Sequence, residues 1–152
     1  MKIEGYVQLK VFDKYGKPLK REWQEFPNMI TGPQFLIDVL TGNAQILYNG
    51  VGSGTTAPAI GDEDCDIPIS YTQTSEITRK KITERHNGST SDSYIGLFST
   101  YYATGEFNGI WNESILTTQI SGANVICHAL LDDLFEKTTT KRAQNDWILV
   151  MT

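Results

Sequence analysis

The feature that most constrains this chain is the alternation of apolar and polar residues over several short segments. Near the N-terminus, Val7, Leu9 and Val11 occupy every second position, and alternate residues of a β-strand lie on the same face. Residues 13–17, "DKYGK", then supply turn residues, and the alternation resumes over residues 19–26. This pattern predicts a β-hairpin at the N-terminus.

The rest of the chain contains further segments that are rich in β-branched and aromatic residues and are separated by Gly and Asn. We predict strands in these segments, which are 46–48, 76–86, 93–103, 109–118, 123–131 and 146–151. The length of 152 residues fits a single ordinary domain. Short strands at this spacing predict a mainly β protein, an antiparallel β-sandwich or a barrel-like domain.

One segment, "TGPQFLIDVLTG" at 31–42, has the pattern of a short helix. Thr31 is suited to the N-cap, Pro33 to the first turn, and Gly42 to a left-handed C-terminal stop. An apolar stripe at helical spacing is formed by Phe35, Leu36, Val39 and Leu40. We expect this helix to pack on the core of a sheet.

These elements divide the chain into an N-terminal hairpin or arm at residues 1–27 and a β-rich core at 28–152, within one domain overall. An isolated hairpin is marginally stable in water, so it packs on its own domain or on a neighbour. We expect residues 1–27 to contribute to a subunit or host-protein interface by adding strands to a sheet edge. We also expect the core to fold without them.

Charge and composition exclude several classes of partner. The formal net charge is −5, whereas nucleic-acid binding needs a basic face, so no nucleic-acid partner is expected. We interpret the basic run Arg79–Lys81 as a solvated strand face. No apolar run reaches the roughly 18 residues of a membrane helix, and the N-terminus lacks the apolar core of a signal peptide. With only Cys65 and Cys127, the fold does not depend on a disulfide framework.

The glycine-rich stretch "YNGVGSGTTAP" at 48–58 is similar to a phosphate-binding loop in its glycine content alone. No lysine follows Gly54 and no helix pattern begins there, so neither a Walker loop nor a dinucleotide-binding loop is predicted. We interpret the stretch as a strand end that turns sharply. In this interpretation Gly50, Gly52 and Gly54 give conformational freedom to an exposed edge that is used in assembly.

The acidic run "DEDCD" has the spacing that begins a calcium-binding EF-hand loop, with Asp62, Asp64 and Asp66 at alternate positions. The sixth position, which needs glycine, is Ile67, and the twelfth, which needs glutamate, is Gln73. An EF-hand is therefore excluded, while a looser structural calcium site stays open as an alternative. We favour a solvated acidic loop.

No residue set has the spacing of an enzyme site. The candidates for zinc ligands or for a Cys–His pair show no usual ligand separation; they are Cys65, His86, Cys127 and His128. The carboxylates that could act as paired acids show no spacing signature either; they are Glu106, Glu113, Asp132 and Asp133. We expect no catalytic residue, cofactor or metal, and a metal hydrolase is only a third hypothesis.

Four aromatic residues provide an alternative from another class, because aromatic rings stack on sugars. They are Trp23, Tyr101, Tyr102 and Trp111. If they are exposed, the chain is a small carbohydrate-binding β-module. If they are buried, they belong to the core or to a subunit interface, which is where large aromatic side chains contribute most.

The order of the motifs is more specific than any one of them. "NMIT" precedes the predicted helix, and "GVGSGTTAP", Asp62, an E-x-x-R pair at Glu76 and Arg79, "NGIWNES", Lys137-Thr138 and "NDWILV" follow. Over about residues 28–150 this order resembles small β-rich structural proteins of tailed bacteriophages, of the tail or tail-fibre type. Those proteins share a GTGTTAP-like loop, a downstream E-x-x-R, an acidic residue before a late strand, and a terminal strand with tryptophan.

The resemblance has two departures. The family often has Gly-Leu-Phe after the acidic residue, where this chain has Ser114-Ile115-Leu116 after Glu113. The basic residue that is usual in the penultimate strand is replaced by Cys127-His128.

What the resemblance implies is a non-enzymatic virion protein, made in the host cytoplasm. It would form a homo-oligomer, as a trimer or a ring, and would dock on other virion proteins, with no membrane partner. A tail or fibre-adaptor component and a capsid decoration protein both stay open.

Overall fold

The computed structural model describes residues 3–26, 41–42, 45–59 and 61–152, and these ranges form an all-β architecture of two antiparallel sheets. The predicted mainly β, sandwich-like fold is confirmed. The strands are β1 (Ile3–Asp13), β2 (Pro18–Phe26), β3 (Tyr48–Gly52), β4 (Arg79–Lys81), β5 (Glu84–Ser89), β6 (Tyr94–Tyr102), β7 (Gly109–Thr117), β8 (Val125–Lys137) and β9 (Lys141–Met151).

The larger sheet has five strands in the order β2-β1-β9-β6-β5. The predicted N-terminal hairpin is confirmed as β1 paired with β2. Its turn is fixed by the Asp13 carboxylate, which accepts the N–H groups of Tyr15 and Lys17, and by Gly16 at a φ of 84°.

The hairpin is an integral part of this sheet, because β1 lies between β2 and β9 and pairs with β9 over its whole length. Val7, Leu9 and Val11 point into the sandwich and are buried, as their alternation predicted. The expectation that the core folds without residues 1–27 is therefore revised, since their removal would open the sheet at β9 and expose its core.

The smaller sheet has four strands in the order β4-β3-β7-β8. One part of the core joins both sheets, with Val7 and Trp147 packed against Leu116 and Cys127. The other part contains a chain of edge-to-face aromatic contacts, formed by Phe107, Tyr102, Trp111 and Phe135 in that order. Together they fill the space between the sheets.

Three strand predictions need correction. The strand predicted at 46–48 begins at Tyr48 and continues through the glycines to Gly52. The single strand predicted at 76–86 is two strands in different sheets, β4 and β5, because the chain crosses from one sheet to the other between them. The last two strands are longer than predicted, since their polar residues at 132–137 and 141–145 hide the alternation.

No helix occurs in the ranges that the structure describes. The predicted helix at 31–42 lies outside them, apart from Thr41 and Gly42, and Gly42 has a φ of 77°. No helix that could span a membrane is found among the described residues.

Candidate functional site

The glycine-rich stretch is a buried strand followed by a close crossing of two chain segments. Gly50 and Gly52 lie in β3 between β4 and β7, and both are buried, as is Gly54. None of the three has a positive φ. The interpretation that they give conformational freedom to an exposed edge is therefore wrong, although Thr55, Thr56 and Ala57 beyond them are exposed.

Gly52 and Gly54 lie where no side chain would fit. A Cβ on Gly52 would lie 2.7 Å from the carbonyl oxygen of Ile67 and 2.8 Å from the Cβ of Cys65. A Cβ on Gly54 would lie 2.5 Å from the Cβ of Asp66. A Cβ atom essentially never comes within 3.0 Å of a non-bonded heavy atom, so only glycine lets the acidic segment approach the strand.

The acidic segment covers the outer face of the smaller sheet. We name residues 53–59 and 61–69 the covering segment. After leaving β3 the segment turns, and its last residues return alongside the end of β3: Ser53 N donates to Ile67 O at 2.9 Å, and Ile69 N donates to Val51 O at 3.0 Å. Cys65 is buried and packs with Ile115 and Val125 on that face. The interpretation as a solvated acidic loop therefore holds for the exposed Glu63 and Asp66 but misses the buried Cys65.

Glu113 of β7 lies beneath the covering segment, and the residue is fully buried. Its carboxylate accepts three backbone N–H groups, from Gly54 at 2.9 Å, Asp66 at 2.9 Å and Ile67 at 3.0 Å. Its Oε2 also lies 2.8 Å from Nε2 of His128. Burial alone would raise the pKa of the Glu113 carboxyl, but these hydrogen bonds outweigh it and lower that pKa below its ordinary value.

His128 of β8 joins Glu113 to the covering segment. Its Nδ1 lies 2.7 Å from Oδ2 of Asp62, so each ring nitrogen faces one carboxylate oxygen. Burial lowers the pKa of the imidazole, but the hydrogen bonds and charges of Glu113 and Asp62 outweigh it and raise that pKa. The ring therefore donates from both nitrogens as an imidazolium. We name Asp62, Glu113 and His128 the acid–histidine cluster.

Arg79 holds the middle of the covering segment, at Glu63 and Asp64. The side chain is 1% exposed, so the interpretation of its basic run as a solvated face is wrong for this residue. Its guanidinium donates to four oxygens, those of Glu63 O, Gln119 O, Gly122 O and Asn124 Oδ1, at 2.8 to 3.1 Å. Oδ2 of Asp64 lies 3.5 Å away. A planar fork of donors suits such a set of oxygens.

The three carboxylates of the alternative calcium site do not converge. Asp62 contacts His128, Asp64 lies beside Arg79, and Asp66 accepts the hydroxyl of Thr56. Among the residues that the structure describes, no group of three His, Cys, Asp or Glu side chains is arranged to hold a metal ion.

The predicted zinc and thiol candidates lie in four different surroundings. Cys127 packs between the sheets, whereas Cys65 lies on the outer face under the covering segment. His86 is exposed beside Glu84, and His128 is in the cluster. Burial raises the pKa of both thiols, so neither is a reactive thiolate.

Two of the four aromatic residues considered for sugar stacking lie in the core. Trp111 is fully buried and Tyr102 is 1% exposed, so neither presents a ring to a ligand. Tyr101 is 38% exposed, and the side chain of Trp23 lies outside the described part of the structure.

No family model, no curated protein and no solved structure matches this chain. A histidine held as a cation between two carboxylates, one of them saturated by backbone N–H groups, is arranged to hold two chain segments together.

Sequence reasoning missed the cluster because its members come from three distant segments. Glu113 and His128 were considered singly, as an acid without a partner and as a zinc candidate. The pairing of β7 with β8 brings them together. Ile115 is opposite His128, and Glu113 is opposite Leu130, so the side chains of Glu113 and His128 lie on the same face of the sheet.

Proposed function

We propose that this chain is a non-enzymatic structural protein of a tailed-phage virion, which assembles with copies of itself and docks on larger virion components. The observation that supports this most is where the resemblance motifs lie. The glycine loop, Asp62, Arg79 and the glutamate of "NGIWNES" all meet at the covering segment. Residues that are far apart in sequence but meet in one buried network make a rigid fold.

The chemistry of that network favours a structural protein over an enzyme. Both oxygens of Glu113 and both nitrogens of His128 are engaged within the chain. A general acid or base needs a face open to substrate, and neither side chain has one, because Glu113 is fully buried and His128 is 3% exposed.

The sheet edges supply a means of assembly. The five-stranded sheet ends at β5, whose six residues are all exposed. An antiparallel sheet that ends in an exposed strand offers backbone groups to a neighbouring strand. This supports self-association of the subunit or its docking through the edge.

The experiment is localisation on particles of the phage that encodes the chain. Gradient-purified virions are digested and quantified by mass spectrometry, and the protein is then located by cryo-electron microscopy. We expect a fixed copy number per particle, as a trimer or ring on the tail or as a symmetric array on the capsid. Absence from purified virions contradicts the proposal, and so does specific binding of the free protein on a glycan array without any virion association.

A further inference from the structure

Another buried cation, Lys137, lies at the end of β8, the strand that also carries His128. It has no partner of opposite charge in direct contact among the described residues. Its side chain is 1% exposed. The ammonium nitrogen donates to Ala103 O at 2.7 Å and lies 3.4 Å from Oδ1 of Asn108. The backbone of β8 sets this position, because Lys137 pairs with Gly109, the residue after Asn108.

The surroundings of Lys137 make its amine nucleophilic. Burial lowers the pKa of this lysine to about 8, while the charge of Glu106 opposes that effect and the charge of Lys80 adds to it. Roughly a tenth of the lysine is therefore the neutral amine at neutral pH, far more than for a lysine in water. A desolvated lysine of this kind attacks carbonyl carbons.

The Glu106 carboxylate lies on the same turn as Asn108, between β6 and β7. Glu106 accepts the N–H of Ala103 at 2.9 Å, and it also accepts the ammonium of Lys80. Burial would raise the pKa of Glu106, but the contacts with Lys80 and Ala103 outweigh it and keep the carboxyl ionised. Ala103 thus joins the two groups, with its carbonyl on Lys137 and its N–H on Glu106.

We propose that the chain forms an intramolecular isopeptide bond between Nζ of Lys137 and Cγ of Asn108. The neutral amine attacks the side-chain carboxamide carbon, and the new C–N bond replaces the bond from that carbon to the amide nitrogen. The proton that the amine loses passes to the departing nitrogen, which leaves as ammonia. No oxidant, metal or co-reactant is needed, and the exposed position of Asn108 lets ammonia escape.

The geometry favours this step because the reacting groups are already held near each other. The nitrogen of Lys137 lies 3.4 Å from Oδ1 of Asn108, the oxygen bonded to the carbon that is attacked, and groups held this close gain a large effective concentration. The product ties the end of β8 to the turn before β7, and like any cross-link it restricts the unfolded chain. A subunit cross-linked in this way resists unfolding under load.

The test is the intact mass of the purified full-length chain. We expect the mass to fall below the sequence mass by that of one ammonia, and a protease digest to contain a branched peptide that joins residues 108 and 137. Two variants remove the bond separately. Lys137→Arg keeps the charge but not the nucleophile, and Asn108→Ala removes the carboxamide at an exposed position. Both should show their full sequence mass.

A further variant gives a mass signature that a structural role would not produce. In Asn108→Asp the same attack expels water, so we expect the mass to fall by one water. Because the charge of Glu106 raises the pKa of Lys137, Glu106→Gln should speed the appearance of the cross-linked form in a time course after refolding, whereas Glu76→Gln, at an exposed site, should leave it unchanged.

Asn108 is followed by glycine, and an Asn–Gly pair can also lose ammonia by forming a backbone succinimide. That product carries no branched peptide and persists in Lys137→Arg. Loss of ammonia in Lys137→Arg without a branched peptide in the natural chain overturns the proposal. An unchanged sequence mass in the folded natural chain, after prolonged incubation at about one pH unit above the pKa of Lys137, overturns it as well.

Discussion

Replacing Glu113 by glutamine tests the acid–histidine cluster with the smallest change of shape. The amide has one oxygen and one NH₂ group where the carboxylate has two oxygens. In one orientation the NH₂ faces the N–H of Asp66 and the imidazolium of His128; in the other it faces the N–H groups of Gly54 and Ile67. Either way, two buried donors lose their acceptor.

The magnitude follows from these contacts. Each buried donor without a partner costs about 1–3 kcal/mol. Breaking a buried charge pair by removing one member costs about 3–5 kcal/mol in total. We therefore expect Glu113→Gln to lower the free energy of unfolding by about 3–5 kcal/mol, out of a total of roughly 5–15 kcal/mol for a domain. At about 2–4 °C per kcal/mol, the melting temperature should fall by roughly 6–20 °C.

The assay is urea unfolding followed by tryptophan fluorescence, since Trp111 and Trp147 are fully buried and report the loss of the core. Glu76→Gln is the matched control, because Glu76 is exposed, and its unfolding midpoint should equal that of the natural chain. A loss below about 1 kcal/mol in Glu113→Gln would refute the reasoning, since it would show that the buried hydrogen bonds do not stabilise the fold.

Three other perturbations test separate parts of the site. The pKa of His128 is higher in the folded chain than in the unfolded chain, so protonation of His128 stabilises the fold fully below the unfolded pKa, and this stabilisation is lost as the pH rises through the folded pKa. His128→Gln should abolish this loss of stability at alkaline pH, measured as urea midpoints from about pH 5 to about pH 10. Gly52→Ala should destabilise the fold by about 1–3 kcal/mol or more through overpacking against the covering segment, measured by thermal unfolding. Arg79→Lys should cost about 2–4 kcal/mol in urea unfolding, because an ammonium cannot reach all the oxygens of the guanidinium site.

Each of these variants has a matched control on the surface. Gly88→Ala adds a methyl group where nothing lies within 4 Å and should leave stability nearly unchanged. Arg85→Lys and His86→Gln alter exposed residues of the edge strand β5 and should do the same. If Gly88→Ala and Gly52→Ala have equal effects, crowding under the covering segment is not the cause of the loss.

The strands that could be predicted from the sequence are those in which apolar and polar side chains alternate. Val7, Leu9 and Val11 marked β1 because every second residue is large and apolar, and the hairpin turn was marked by Asp13 and Gly16. These signals are local, so no knowledge of the sheet order was needed.

The strand β3 was displaced in the prediction because Gly50 and Gly52 have no side chains to show a period. These glycines leave room for other segments of the chain, and which segments approach them depends on contacts between positions far apart in sequence. Arg79 was misread for a similar reason, since its oxygen partners come from Glu63 and from the turn at 119–124. A buried cation cannot be told from a solvated one until its partners are placed.

The most direct test of the claim that the cluster fastens the covering segment to the sheet is amide hydrogen exchange measured by NMR. Three amides bond to the Glu113 carboxylate, those of Gly54, Asp66 and Ile67. If the cluster holds the segment, these three exchange only through large-scale unfolding and are as protected as the central strand β9. Exchange of these three amides as fast as that of exposed turn residues such as Lys14 would contradict the account.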